Sequence, residues 1–328
     1  MSVYFAPMEG ITGRLFRSSF EEVFPHTIDK YFSPFIASGV TKGVAGKDLK
    51  ELSPDQNKGF VLVPQLLTND SRDFANTAKT LQGMGYDEIN LNLGCPSKTV
   101  VSKKRGSGML EDPERLEAFL EEAFSFSDQN GIRLSLKTRL GSASDEEFVR
   151  LLSIYDCYPV HELIIHLRVR TDYYKLPLRP GWFDFAAKNS KLKLVYNGDI
   201  QSRREMEQIQ KTYPAADVMI GRGFLMRPWM LEESASGEPG EILGRENPGA
   251  FRKFWQFHDR LYQRYKEEMP GERAVLFKCK ELWFYMAQSF DTASEDRGRE
   301  NKKAMKAIKK SQYLSDYEGA IEILRHPG

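Results

Sequence analysis

The chain has 328 residues, with 47 Lys and Arg against 46 Asp and Glu and a net charge of +1, so a polyanion would have to be gripped by local patches rather than by an overall basic field. Its three cysteines, Cys95, Cys157 and Cys279, lie far apart without C-x-x-C spacing, which excludes a zinc framework and a disulfide scaffold. No apolar run approaches the roughly 20 residues of a membrane span, and the N-terminus has no basic, apolar leader pattern, so a soluble, cytoplasmic protein is expected.

Short runs rich in β-branched and aromatic residues predict eight strands, over 3–6, 31–36, 61–66, 88–91, 134–137, 163–166, 192–196 and 218–221. Helices are expected between most of them. Asn69-Asp70-Ser71 opens one reaching about Met84, and Asp112-Pro113-Glu114 opens another with proline in its first turn. Ser144-Asp145-Glu146-Glu147 starts a third, and Ser202-Arg203-Arg204-Glu205 a fourth with a capping-box pattern. Residues 39–60 read mostly as loop. Eight β-α units within about 230 residues predict an α/β fold, a (β/α)8 TIM barrel. The alternative, an open doubly wound sheet, would want a G-x-G-x-x-G turn after an early strand, and none is present.

Composition changes at Glu233-Ser234-Ala235-Ser236-Gly237-Glu238-Pro239-Gly240, which reads as a linker. The expected organisation is a catalytic barrel over 1–235 followed by a small all-α helical bundle over 241–328, with breaks at Pro270-Gly271 and near Asp291-Thr292. Residues 241–328 hold 17 basic and 14 acidic side chains, leaving 30 and 32 for the rest, so the bundle is basic and the body acidic. Within the bundle, Arg299, Lys302, Lys303, Lys306, Lys309 and Lys310 fall on a helical arc of about 120°, with Ala304, Ala307 and Ile308 opposite. An ordinary solvated face and a polyanion-binding face weigh about equally there.

The run Asn90-Leu91-Asn92-Leu93-Gly94-Cys95-Pro96-Ser97-Lys98 puts one thiol on a tight turn at a strand's carboxyl end, where barrels keep their chemistry. The stretch that follows carries Lys98, Lys103, Lys104 and Arg105 without an acid up to Gly108, which suits a polyanionic substrate and is expected to lower the Cys95 pKa. The other strand ends are Pro7-Met8-Glu9, Gln65, Asn92, Lys137, His166, Asn197-Gly198 and Gly221-Arg222. They hold no metal constellation and no Ser/His/Asp set. They suit a polar heterocycle with a phosphate tail: an amide for a ring edge, a lysine for a developing anion, and N–H groups with a guanidinium for phosphate.

Taken together, Ala6-Pro7-Met8-Glu9-Gly10-Ile11-Thr12, Asn92-Leu93-Gly94-Cys95-Pro96-Ser97-Lys98, Lys137-Thr138-Arg139-Leu140-Gly141, Asn197-Gly198-Asp199-Ile200 and Met219-Ile220-Gly221-Arg222-Gly223 resemble the motif set of the tRNA-dihydrouridine synthases. The resemblance covers nearly all of 3–230 and continues more weakly around 277–285. It implies FMN lined by Pro7, Met8, Glu9, Gln65, Lys137, His166, Asn197, Gly198, Asp199, Gly221 and Arg222. NAD(P)H is the implied reductant, Cys95 the proton donor, and Asn92 a neighbour of the substrate base. Two departures stand out: Leu167-Arg168-Val169-Arg170 replaces a small residue followed by Arg-Thr, and Lys103-Lys104-Arg105 replaces a glycine- and alanine-rich stretch.

The implied reaction reduces the C5–C6 double bond of a tRNA uridine, with hydride delivered to C6 and a proton from Cys95 to C5. Asn92, Lys98, Arg139, Arg168, Arg170, Lys175, Lys302 and Lys306 are expected to meet the tRNA, with Tyr173, Tyr174 and Trp182 interleaved among cations after the sixth strand. No protein partner is implied, and a monomer is expected. A small-molecule FMN dehydrogenase and a redox-inactive RNA-binding protein remain as alternatives. The first leaves the basic bundle idle, and the intact Cys95, Lys137 and Gly221-Arg222 set speaks against the second.

Overall fold

A computed structural model of the chain describes residues 1–37, 44–232, 243, 247–290 and 297–325. They form two compact units. The first comprises Met1–Glu9, Ile28–Asp199 and Gln210–Ile220. It contains β1 (Val3–Phe5), β2 (Lys30–Phe32), β3 (Leu62–Val63), β4 (Gln65–Leu66), β5 (Glu88–Leu93), β6 (Arg133–Arg139), β7 (Leu163–His166), β8 (Leu194–Asn197) and β9 (Asp217–Ile220). All pairings are parallel, in the order β3-β2-β1-β9-β8-β7-β6-β5-β4. Because β3 and β4 are consecutive and separated by Pro64 alone, the ring closes as an eight-stranded barrel. Proline has no N–H and interrupts the ladder there; its carbonyl still accepts from Asn90 N at 2.9 Å, and the Gln65 N–H turns to Ser33 Oγ at 3.0 Å.

The helix starts follow the expected caps. Asp70 accepts from the N–H groups of Arg72 and Asp73 to open Ser71–Gly83, and Asp112 accepts from Arg115 N to open Pro113–Gln129. At Arg203–Thr212 the capping box is reciprocal: Glu205 N donates to Ser202 Oγ at 3.2 Å and Ser202 N to Glu205 Oε2 at 3.0 Å. Of the stretch 39–60, expected to be mostly loop, residues 39–43 lie outside the described residues, and Gly46–Leu52 forms a short helix that was not expected. Leu52 is the only buried side chain of that helix, so its apolar periodicity is too sparse to read from sequence.

Along the barrel axis the interior changes character in tiers. Near the amino ends of the strands, Glu162 Oε1 is approached by Tyr4 OH (2.7 Å), Lys193 Nζ (2.8 Å) and Lys30 Nζ (3.1 Å). Lys30 also holds Glu88 at 2.8 Å, and Lys193 holds Asp217 at 2.8 Å. Above this charged plug lies an apolar layer of Ala6, Phe32, Val63, Ile164, Val195 and Met219. The carboxyl ends are polar again, and the candidate site lies there.

The second unit comprises Gly10–Thr27, Ile200–Ile209 and Gly221–Gly328. Its described helices include Arg14–Val23, Pro248–Glu268, Glu272–Met286, Arg297–Lys310 and Leu314–Arg325. The predicted break at Pro270-Gly271 is present, with Gly271 at φ 84°, whereas the linker at 233–240 and the break near 291–292 lie outside the described residues. Phe16, Phe20, Phe24 and Phe257 pack in one cluster. In another, Trp283 Nε1 donates to Tyr317 OH at 2.8 Å, and that hydroxyl lies 2.8 Å from His258 Nε2. No described helix is long and apolar enough to cross a membrane.

Candidate functional site

The strand ends of the first unit bring Gln65, Asn92, Cys95, Lys137, His166 and Asn197 to one end of the barrel. Asn92 is in register with Lys137, and His166 with Asn197. Alternation along β5 points Asn90 and Asn92 to the same face, where a chain of buried amides runs between strands. Asn90 Nδ2 donates to Ser135 Oγ (3.0 Å), Gln65 Nε2 to Asn90 Oδ1 (2.7 Å), and Asn92 Nδ2 to Gln65 Oε1 (2.7 Å). Asn92 Oδ1 in turn accepts from Gly94 N (3.1 Å) and Cys95 N (2.9 Å). The amide row therefore ends on the backbone of the cysteine turn. Asn90 and Ser135 were missed by the sequence reading, although polar residues at i and i+2 in an otherwise apolar strand were the available signal.

Cys95 is held from the other side by the segment that follows it. Ser107 Oγ donates to the Cys95 carbonyl at 2.7 Å. Gly106 has φ 55°, and a Cβ there would stand 3.0 Å from the Cys95 carbonyl oxygen and 3.1 Å from its Cβ, so glycine is required. The half-buried thiol is pushed above the ordinary thiol range. Burial is the main cause; Glu9 adds to it, while a backbone hydrogen bond from Ser97 and the charges of Arg139 and Lys137 oppose it. The expected lowering by the basic loop is thus overturned. Two of the four loop cations turn to other partners: Lys104 pairs with Glu111 at 2.7 Å, and Arg105 meets Asp73 at 3.5 Å and Asn69 Oδ1 at 3.3 Å.

Lys137 donates to Asn197 Oδ1 at 2.9 Å, while Asn197 Nδ2 donates to the Met219 carbonyl at 2.8 Å. No ion pair of Lys137 with a carboxylate occurs among the described residues. Burial, with Arg139 adding to it, pushes the amine down to about 7. After β8 the chain turns sharply, with Gly198 at φ 152° and Asp199 at φ 43°, and a Cβ on Gly198 would stand 2.7 Å from Leu178 Cδ2. Pro7, Met8 and Glu9 follow β1 and are at least partly exposed. Gly221 and Arg222 follow β9 in the chain and belong to the second unit.

Three arginines expected at the substrate each hold partners within the protein. Buried Arg139 donates from Nε to the Gly94 carbonyl (2.9 Å) and from Nη1 to those of Val169 and Tyr173 (3.0 Å each), tying the cysteine turn to the loop after β7. Arg168 forms a bidentate pair with Asp199 and donates to the Leu176 carbonyl. Arg170 pairs with Glu111. Leu167 and Val169, the departures from the family pattern, are buried and pack this loop from inside. Trp182 is also a packing residue, donating to Asp145 at 2.7 Å. Tyr174 stands edge-on to His166 with ring centroids 5.7 Å apart, beneath the Arg139 guanidinium at 5.3 Å. Lys98, Lys175, Lys302 and Lys306 are exposed. On Arg297–Lys310 all six arc cations are exposed and make no ion pair among the described residues. Asn301, Ala304 and Ile308 face inward, whereas Ala307, expected inside, is exposed.

The dihydrouridine synthase (Dus) family matches residues 4–321. The chain is 27% identical over 265 residues to the tRNA-dihydrouridine(16) synthase of Pseudomonas syringae pv. tomato, covering 78% of this chain and 83% of that one. It is 27% identical over 276 residues to the tRNA-dihydrouridine(16) synthase of Pseudomonas putida, covering 81% and 84%. Among solved structures, a morphinone reductase superposes with a TM-score of 0.51 at 13% identity, covering 70% of this chain and 85% of that one, a likeness of fold.

Proposed function

The chain belongs to the dihydrouridine synthase family, and from that premise we propose that it reduces the C5–C6 bond of a tRNA uridine with Cys95 as the proton donor. The observation that carries the assignment is the thiol itself. It sits on a turn held by Asn92, Ser107 and Gly106, and burial keeps it protonated. A general acid must hold its proton until the transition state, and a thiol pushed above its ordinary value near 8.5 does so throughout the neutral range.

The residues present fit FMN. A half-buried lysine without a carboxylate partner among the described residues, flanked by amides and an imidazole, suits the ring of a flavin that becomes anionic on reduction. Lys137, Gln65, His166 and Asn197 would hold the ring, with Pro7, Met8 and Glu9 beside it and the Gly198-Asp199 turn toward the phosphate. Bound FMN supplies the hydride that C6 receives, and NAD(P)H replenishes it. The chain's own work is to bind, orient and protonate. Asn92, through the amide row, sets the Cys95 backbone, Arg139 ties that turn to the β7 loop, and Cys95 delivers its proton to C5 and regains one from water. The uridine must leave its stack to reach this end of the barrel. Lys98 and Lys175, both exposed, would meet phosphates beside it.

The test is NADPH-driven formation of dihydrouridine on unmodified tRNA. Product that is lost on denaturing the protein supports the reading, whereas a flavin-loaded protein that oxidises NADPH and leaves tRNA untouched favours a small-molecule reductase. Two further results are expected. With the Lys137 amine pushed down to about 7, binding of reduced FMN at pH 8, whose ring is anionic, should be accompanied by uptake of up to about one proton as that charge draws the amine back to the ammonium. Calorimetry in buffers of differing ionisation enthalpy should show this uptake in the wild type and lose it in Lys137→Met; equal uptake in both would refute the role. For the basic helix, Lys302→Ala with Lys306→Ala should reduce the slope of log K against log salt by about 1–2. An unchanged slope would remove that helix from the RNA contact.

A further inference from the structure

The helix Glu272–Met286 turns Val275, Leu276, Cys279, Leu282, Trp283 and Met286 inward. Its outer stripe is not polar: Phe277 is 60% exposed and Phe284 72%. Seven residues apart, the two rings share a side of the helix, about 10 Å from each other along its axis. Lys280 lies between them, and its ammonium donates to the backbone carbonyl of Ser311. That contact brings the turn after Arg297–Lys310 against the middle of the stripe, and two residues further along the chain Tyr313 is 65% exposed. These three rings are the most exposed large apolar side chains among the described residues. Lys278 Nζ lies 5.6 Å from the Phe277 ring centroid and is itself held by the Gly10 carbonyl (2.6 Å) and Glu281 (2.7 Å).

The turn at Ser311 directly follows the helix that carries Arg299, Lys302, Lys303, Lys306, Lys309 and Lys310, all exposed and without an ion pair among the described residues. A protein partner seated on the rings would bring its apolar rim against this unpaired positive charge. A nucleic acid presents both complements at once: flat bases for the rings and phosphates for the cations.

We propose that Phe277, Phe284 and Tyr313 form a stacking surface for unpaired nucleobases of the tRNA, bordered by the basic helix that holds its backbone. This deepens the tRNA reading above and rests on it. Stacking releases few counterions, so its signature differs from that of the lysines.

The experiment measures tRNA affinity from low to moderate salt for the full chain, for Phe277→Ala/Phe284→Ala, and for Lys302→Ala/Lys306→Ala. The aromatic double variant should lose tenfold or more in affinity with an unchanged salt slope, while the lysine pair changes the slope. Because both rings face solvent, the thermal midpoint should stay at the wild-type value, which separates the effect from misfolding. Phe284→Trp should retain binding, and its added fluorescence should be quenched by tRNA. Unchanged affinity in the aromatic variant overturns the proposal. So does a wild type that self-associates through these rings and becomes monomeric in the double variant. A wild type that binds no tRNA at all would instead overturn the functional reading beneath it.

Discussion

Cys95→Ala is expected to slow uridine reduction roughly 10²–10⁴-fold, the ordinary contribution of a positioned general acid, while tRNA and flavin binding persist. The side chain is small and half-buried, and the turn's hydrogen bonds use the backbone N–H and carbonyl of residue 95, which alanine keeps. Single-turnover reduction by flavin-reduced enzyme is the measurement that isolates this step. The pH profile carries a sign as well. Burial raises the thiol's pKa, so the rate should stay level through neutral pH and fall only above the ordinary thiol value of about 8.5. A profile that falls between pH 6 and 8 would mean a thiolate at rest, and an alanine variant within tenfold of wild type would assign the proton to another group.

The second large effect lies at the far end of the barrel. Glu162→Ala should cost about 3 kcal/mol of stability, because three donors converge on one buried carboxylate oxygen. The figure sits at the low end of the range for broken buried pairs: Lys30 keeps Glu88, and Lys193 keeps Asp217 and reaches solvent. Burial alone would raise the Glu162 and Asp217 pKa values, but the hydrogen bonds and charges of Lys193, Tyr4 and, for Glu162, Lys30 outweigh it and leave both lowered. Carboxylates depressed in the folded state add stability that is fully present above their unfolded values, near 4. That stability is lost as pH falls through the folded values. Denaturant titrations of wild type and variant at pH 7 and pH 3 should therefore differ by less at pH 3. A loss below 1 kcal/mol at pH 7 would show that the plug is not stabilising.

Much of this was readable in advance, for identifiable reasons. The eight barrel strands were legible because their apolar runs are short and punctuated. The one apparent exception, the division at Pro64, follows from proline's missing N–H. The helix starts at Asp70, Asp112 and Ser202 were legible because a cap is a local hydrogen bond whose partners lie two or three residues away. The thiol turn was visible in Gly94-Cys95-Pro96. The amide row behind it was only half visible, since Asn90 and Asn92 announce a polar face but not that Gln65 and Ser135 complete it.

By itself, the sequence determined the barrel, the thiol, the strand-end lysine and the six-cation helical arc, because each depends on residue types at short, regular spacing. Only the tertiary structure decided the sign of the Cys95 shift, and which cations stay available. Arg139, Arg168 and Arg170 read in the sequence like substrate contacts, and only the fold shows the carbonyls and the carboxylates of Asp199 and Glu111 that partner them. Charge interactions fall with distance in space and with the dielectric around them. Those partners stand from eight to nearly sixty residues away along the chain, and neither their distance nor their burial exists until it folds.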